Sequence, residues 1–146
     1  MKSFFKYKKY YYQILKNLNS QNLFYKYYSE ERSYSEAYKL LIKIINFIIK
    51  KSNNKKRLNI YVSCDKSFFM YVSILAILLT DNIWIPISKS LPQKRIKDIL
   101  KNVPPDMFFY DGIDKTQLFK KHTKKIFSFS KIKKNNDVKE KKNFKI

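Results

Sequence analysis

At 146 residues the chain has room for one domain, or one piece of a larger one. With 45% hydrophobic and 17% aromatic residues it has enough apolar mass to bury a core, which excludes global disorder. A net charge of +21 ordinarily signals a polyanion partner, but it comes from 29 Lys and only 3 Arg. Specific phosphate and base-edge contacts favour the planar Arg fork, so a dedicated nucleic-acid binder is disfavoured.

Residues 1–21 mix Lys with Phe and Tyr. Tyr11, Tyr12, Ile14, Leu15 and Leu18 share one face of a basic aromatic N-terminal helix, ringed by Lys2, Lys6, Lys8, Lys9 and Lys16. That helix would pack on the body or face an anion. Residues 22–28 read as a strand and Ser29–Arg32 as a turn. Ser33 with Glu36 three residues on has capping-box spacing, opening a helix whose apolar face carries Ala37, Leu41, Ile44, Ile45 and Ile48. Lys50 and Lys51 complement the dipole at its end, and the polar run 52–57 stops it.

The centre of the chain runs from Leu58 to Asp111. Three short β-branched or aromatic runs, beginning at Leu58, Ile83 and Met107, are separated by helix-length segments over 66–80 and 92–102. Those segments are too long for hairpin turns and long enough for crossovers, so the strands are expected to be parallel. The expected fold class is α/β: a partial parallel sheet of three to four strands with flanking helices, βαβαβ at its heart. Beyond it come a turn and short helix over 112–122, a last strand over 126–129, and a solvated, disordered basic tail over 131–146. The organisation is therefore an N-terminal helix (1–21), an α/β domain (22–130) and a tail (131–146). An isolated sheet of this kind is expected to have bare edges and an uncovered face.

Several function classes fall on simple counts. A single cysteine, Cys64, makes no intramolecular disulfide and no zinc site. The longest apolar run, Phe68 to Leu79, is short of the about 20 residues a spanning helix needs, and no signal peptide is visible, so no membrane span is expected and the default compartment is the cytoplasm. One glycine, Gly112, stands in the whole chain. Phosphate-cradling loops use several glycines so that backbone N–H groups reach the ligand, so no such loop can be built from these residues.

Three stretches resemble, in order and spacing, the opening of the adenylate-forming, or AMP-binding, acyl-activating enzymes: acyl-CoA ligases and peptide-synthetase adenylation domains. S-Y-S-E-A-Y at 33–38 resembles the family's threonine/serine-tyrosine-x-glutamate-leucine helix start. Residues 71–88 resemble its helix-turn-strand, with Ala76, Trp84, Ile85, Pro86 and Ile87 in the matching places. Residues 90–100 resemble its proline-x-x-arginine helix through Pro92, Arg95, Ile96, Ile99 and Leu100. The family's glycine ahead of the proline-bearing strand is Asp81 here, its following acidic residue is Ser88, and the leucine of the first motif is Ala37. The resemblance covers about residues 22–111.

What the resemblance implies is an AMP-dependent synthetase/ligase, joining a carboxylate to ATP with Mg and passing the acyl-adenylate to a thiol of CoA or a carrier protein. The family's phosphate loop and catalytic motifs are absent from this chain, so the expected role is a truncated or split N-terminal piece, inactive alone, with a separately encoded remainder as one partner. The alternative is a Lys-rich module that binds nucleic acid or a protein partner without catalysis. No catalytic, cofactor-binding or metal residue is assigned. His122, the only histidine, has no base or acid partner near it in sequence. Cys64 reads as an inert thiol, and Asp106, Asp111 and Asp114 as turn and cap residues without calcium-loop spacing. Glu36 and Arg95 are expected to orient local structure by capping or pairing.

Overall fold

A computed structural model of the chain describes residues 16–17, 20–64, 66–111 and 116–134. The basic aromatic segment of residues 1–15, the end of the tail from residue 135, Gly112 and Asp114 lie outside the described residues. The elements are β1 (Leu23–Tyr27), β2 (Glu30–Ser33), α1 (Tyr34–Ser52), β3 (Asn59–Cys64), α2 (Phe68–Leu79), β4 (Ile83–Ser88), α3 (Gln93–Asn102), β5 (Met107–Tyr110), α4 (Thr116–Lys120), β6 (Ile126–Ser128) and α5 (Phe129–Lys133). β3 to β6 form one parallel sheet in the order β4-β3-β5-β6, and β1 and β2 form a separate antiparallel hairpin.

β3 organises the sheet. Its side chains alternate between two cores, as a strand's period of two requires. Ile60 and Val62 join α1, α2 and α5 on one face, together with Met107 and Phe109 of β5. Tyr61 points to the other face, where Phe108, Ile96, Leu100 and Phe119 enclose it beneath α3 and α4. The chain steps from β3 to β4 on one side, then passes back over β3 to reach β5 on the other. The covering helix changes face as the direction of travel reverses, α2 on one and α3 on the other, which is what right-handed crossovers demand. The sheet is therefore covered on both faces, a correction to the uncovered face expected from the sequence. α1 and α2 supply most of the cover on one face and α3 on the other, and two five-residue helices extend it, α4 through Phe119 and α5 through Phe129 and Ile132.

β4 is an edge strand, and it is a blunted one. Ile83 donates its N–H to Leu58 O at 2.9 Å, so alternation turns the amide positions of Trp84, Pro86 and Ser88 outward. Pro86 has no N–H to offer a further strand and is tolerated because its nitrogen faces away from β3. Among the described residues, no helix is long and apolar enough to cross a membrane.

Three local readings are corrected. Residues 29–32 are not a turn: the turn is Tyr28–Ser29, and Glu30–Ser33 pair with β1, with Lys26 Nζ 2.6 Å from its cross-strand partner Glu31. Their polarity hides a strand that exists only because β1 pairs with it. The tail does not start at 131, since α5 runs to Lys133 and Ile132 is fully buried. Arg95, expected to cap or pair, is exposed on α3 and forms no ion pair with another described residue.

Several turns run without glycine. α2 ends in a Schellman motif, with Asp81 N–H donating to Leu78 O at 3.1 Å and Asn82 N–H to Ile77 O at 3.0 Å. Asp81 adopts φ 58°, the left-handed conformation glycine usually supplies. Asn82 then locks the turn: its side-chain oxygen accepts from Leu58 N–H at 2.9 Å, and its amide donates to Thr80 O at 3.1 Å. Arg57, beside it, is also left-handed at φ 58°.

Two outcomes follow for stability. Phe119 is fully buried and stacks on Phe108 with centroids 3.7 Å apart, so Phe119→Ala should cost about 3–5 kcal/mol in urea unfolding. Arg57→Gly should raise stability by about 0.5–1 kcal/mol, because glycine meets no steric penalty at that φ. A lower urea midpoint for the glycine variant would show that the loop is not held in the left-handed conformation.

Candidate functional site

Open α/β sheets place ligands outside the carboxyl ends of their strands, where the strand order reverses. That point here lies between β3 and β5. The chain leaves β3 toward Ser67 and Phe68, and leaves β5 at Asp111. A cleft of about 450 Å³ opens there, bounded by Ser67, Phe68, Phe69 and Asp111, by β2 and the first turns of α1, and by α5.

Its walls are built by local sequence. Ser33 caps α1 and forms a complete capping box: Glu36 N–H donates to Ser33 Oγ at 3.3 Å, and Ser33 N–H donates to Glu36 Oε2 at 2.8 Å. Glu36 therefore orients local structure as its spacing predicts. Its carboxyl is held below the usual range, first by that backbone hydrogen bond and then, against the opposing effect of burial, by the Ser33 hydroxyl and the Arg32 charge. Arg32 lies between two carboxylates, 3.1 Å from Glu30 and 3.7 Å from Glu36, with its guanidinium 6.0 Å from the Phe68 ring centre. Ser67 caps α2 by accepting Met70 N–H at 3.2 Å. The Tyr25 hydroxyl donates to Lys66 O at 2.7 Å and so ties the hairpin to the loop leaving β3, while burial, helped by Glu30, raises its pKa.

Several of the polar groups that line the cleft are thus engaged in structure. Arg32 is neutralised, Ser67 and Glu36 are caps, and the remaining cations are the lysines Lys39, Lys43 and Lys133. Among the described residues no group of three potential metal ligands comes together. For the ATP and Mg implied by the sequence resemblance, the described residues of this cleft supply no glycine and no cluster of three potential metal ligands.

The other singled-out residues lie apart. Cys64 ends β3 in register with Ser88. His122 is exposed in the turn after α4, at the amino-terminal end of β6 and opposite the cleft, and its backbone N–H donates to Phe119 O at 2.8 Å. Asp106 stitches strand starts: Oδ2 accepts Asn59 N–H at 2.8 Å and its carbonyl accepts the Thr123 hydroxyl at 2.9 Å. Of the described aspartates singled out, Asp111 lines the cleft and Asp106 does not. No nucleophile, base and orienting group meet among the described residues. What sequence reasoning missed is the convergence of β2, α1 and α5 on the switch point, which no local spacing signals.

No protein-family profile matches the chain, and no curated protein matches it. Solved structures of adenylate-forming enzymes match in fold. Coronafacic acid ligase from Pectobacterium brasiliense superposes at a TM-score of 0.69 with 20% identity, over 88% of this chain and 25% of that one. ATP-bound MatB from Rhodopseudomonas palustris gives 0.66 with 13% identity, over 80% and 24%. VinN gives 0.67 with 9% identity, over 83% and 33%. The chain spans about a quarter to a third of the length of these chains. At such identities the likeness establishes the fold.

The capping box has a pH signature. Because Glu36 is depressed in the folded state, its contribution is complete above the ordinary Glu value of about 4.3 and is lost as pH falls through its folded value. Glu36→Gln should therefore be less stable than the parent at pH 7, with the gap closing on acidification below about pH 4. A gap that stays constant down to pH 2.5 in urea titrations would remove the ionised carboxylate from the box.

Proposed function

We propose that this polypeptide is a truncated or split opening piece of an AMP-dependent synthetase/ligase, and that it does not catalyse by itself. Three sequence motifs in order support the reading, and so does the fold it shares with adenylate-forming enzymes over most of its own length. The observation that carries it is the parallel sheet with its switch-point cleft, which has the layout of a nucleotide-binding α/β unit but in which Glu30, Arg32, Glu36 and Ser67 are spent on caps and internal ion pairs.

In this reading the complete enzyme joins a carboxylate to ATP, releases pyrophosphate, and transfers the acyl group to the thiol of CoA or of a carrier protein. The chain's own part is structural. β3 and β5 form the floor, α1 and α2 the wall, and the remainder of the ligase brings the phosphate loop and the catalytic residues. That remainder is the partner we assign, in the cytoplasm. Pro86 blunts the β4 edge, so the remainder would meet the sheet elsewhere, at the β6 side or over the switch-point cleft.

The isolated 146 residues should show no ATP-dependent pyrophosphate exchange above a no-protein blank with a panel of short, branched and aromatic carboxylates. Exchange that any one of these acids stimulates, and that is lost in a Phe119→Ala variant, would overturn the claim of inactivity.

A further inference from the structure

The two edges of the sheet differ. β4 is blunted by Pro86, whereas β6 contains no proline and pairs with β5 without a bulge. Phe108 stands opposite Ile126 and donates its N–H to Lys125 O at 2.9 Å. In a parallel ladder the residue opposite such a donor turns its own N–H and C=O to the other side. Ile126 N–H and C=O, and Ser128 N–H by alternation, therefore point out from the sheet, and no described residue bonds to them. We propose that the outer edge of β6 is where the remainder of the ligase joins, by adding an extended segment to the sheet. The assignment rests on the split-ligase reading above and names the surface through which the pieces assemble.

The edge selects its occupant. A row of unpaired main-chain groups recognises an extended backbone, and half-buried Leu118 and Ile126 beside it give the side chains of an added strand apolar surface to meet. A second copy of this chain suits the edge poorly: each copy carries +21, and pairing two three-residue edges buries little area. The adenylate-forming neighbours extend well beyond the part matched here, which leaves ample chain to supply a strand.

The chain itself heads away from this edge. α2 lies on the face of Ile60 and Val62 and carries the chain in one direction, from β3 to β4. α3 and α4 lie on the Tyr61 face and carry it in the opposite direction, to β5 and then β6. α5 returns to the Ile60 face through Phe129 and Ile132. A right-handed crossover over that face leads back toward β4. A strand beside β6 therefore comes from a stretch not directly joined to α5, as a separate remainder would provide.

The test uses the full chain, tagged, in extract of its source cell, with Ile126→Pro and Ile126→Val beside the parent. Proline removes the outward N–H without breaking a bond to β5 and sets its ring against an incoming strand, while valine keeps the N–H. Captured polypeptides are identified by mass spectrometry, and the complex is assayed for ATP-dependent pyrophosphate exchange. The expected result is a polypeptide with a phosphate loop, in a complex that exchanges pyrophosphate. The parent and Ile126→Val should capture it equally, and Ile126→Pro about tenfold or more weakly. Amide exchange gives a readout that does not depend on the proline variant folding: Ile126 and Ser128 N–H should exchange freely in the lone chain and become protected in the complex. Capture undiminished in a folded Ile126→Pro, or protection of both amides already in the lone chain, would overturn the edge assignment and leave the split-ligase reading standing. So would a parent homodimer that Ile126→Pro abolishes, since a second copy would then fill the edge. Capture of no such polypeptide by the parent would overturn both.

Discussion

The structure depends on β3 being buried on both faces at once. Ile60, Tyr61 and Val62 are each wholly inaccessible, so neighbouring strands must flank it and helices must lie above and below. Tyr61 brings a hydroxyl into that core, and it is satisfied by donating to Val103 O at 2.6 Å, which fastens the loop between α3 and β5 to the central strand. Burial raises the Tyr61 pKa further above the ordinary phenol value, and the neutral phenol is the form the core accommodates. From this one strand the reversal of the crossovers, the two separate cores and the switch-point cleft all follow.

Much of this architecture was legible in the sequence because its signals are local. The capping pair Ser33 and Glu36, the apolar stripe of α1 and the short β-branched and aromatic run at Leu58–Ser63 each fall within a few residues of chain, and each element appears where its pattern places it. β4, which carries Pro86, lies at the edge of the sheet. Less legible were elements that exist through distant partners. β2 is four polar residues that become a strand by pairing with β1. α5 begins where charge suggests a tail, yet Phe129 stacks on Phe69 at 4.0 Å and Ile132 inserts into the core of α1 and α2. Long-range burial overrides composition at both sites.

The candidate site was less legible. One glycine among 146 residues leads to the expectation that no phosphate loop is built from these residues, and at the β3–β5 switch point Glu30, Arg32, Glu36 and Ser67 are occupied with capping and ion pairing. Asp81 shows how the chain manages without glycine elsewhere: it adopts the left-handed turn and the Schellman bonds that the related glycine would make. Such a substitution is tolerable in a turn that touches only protein. It is not tolerable in a loop whose backbone must approach a phosphate, so glycine scarcity spares the fold but bears on function.

The most direct measurement is the intact mass of the native gene product in its source cell. The account of a truncated or split ligase piece predicts a species near 17.8 kDa, the mass of these 146 residues. A single species several times heavier that contains these residues at its start would contradict it, and would make them the front of one continuous acyl-activating enzyme.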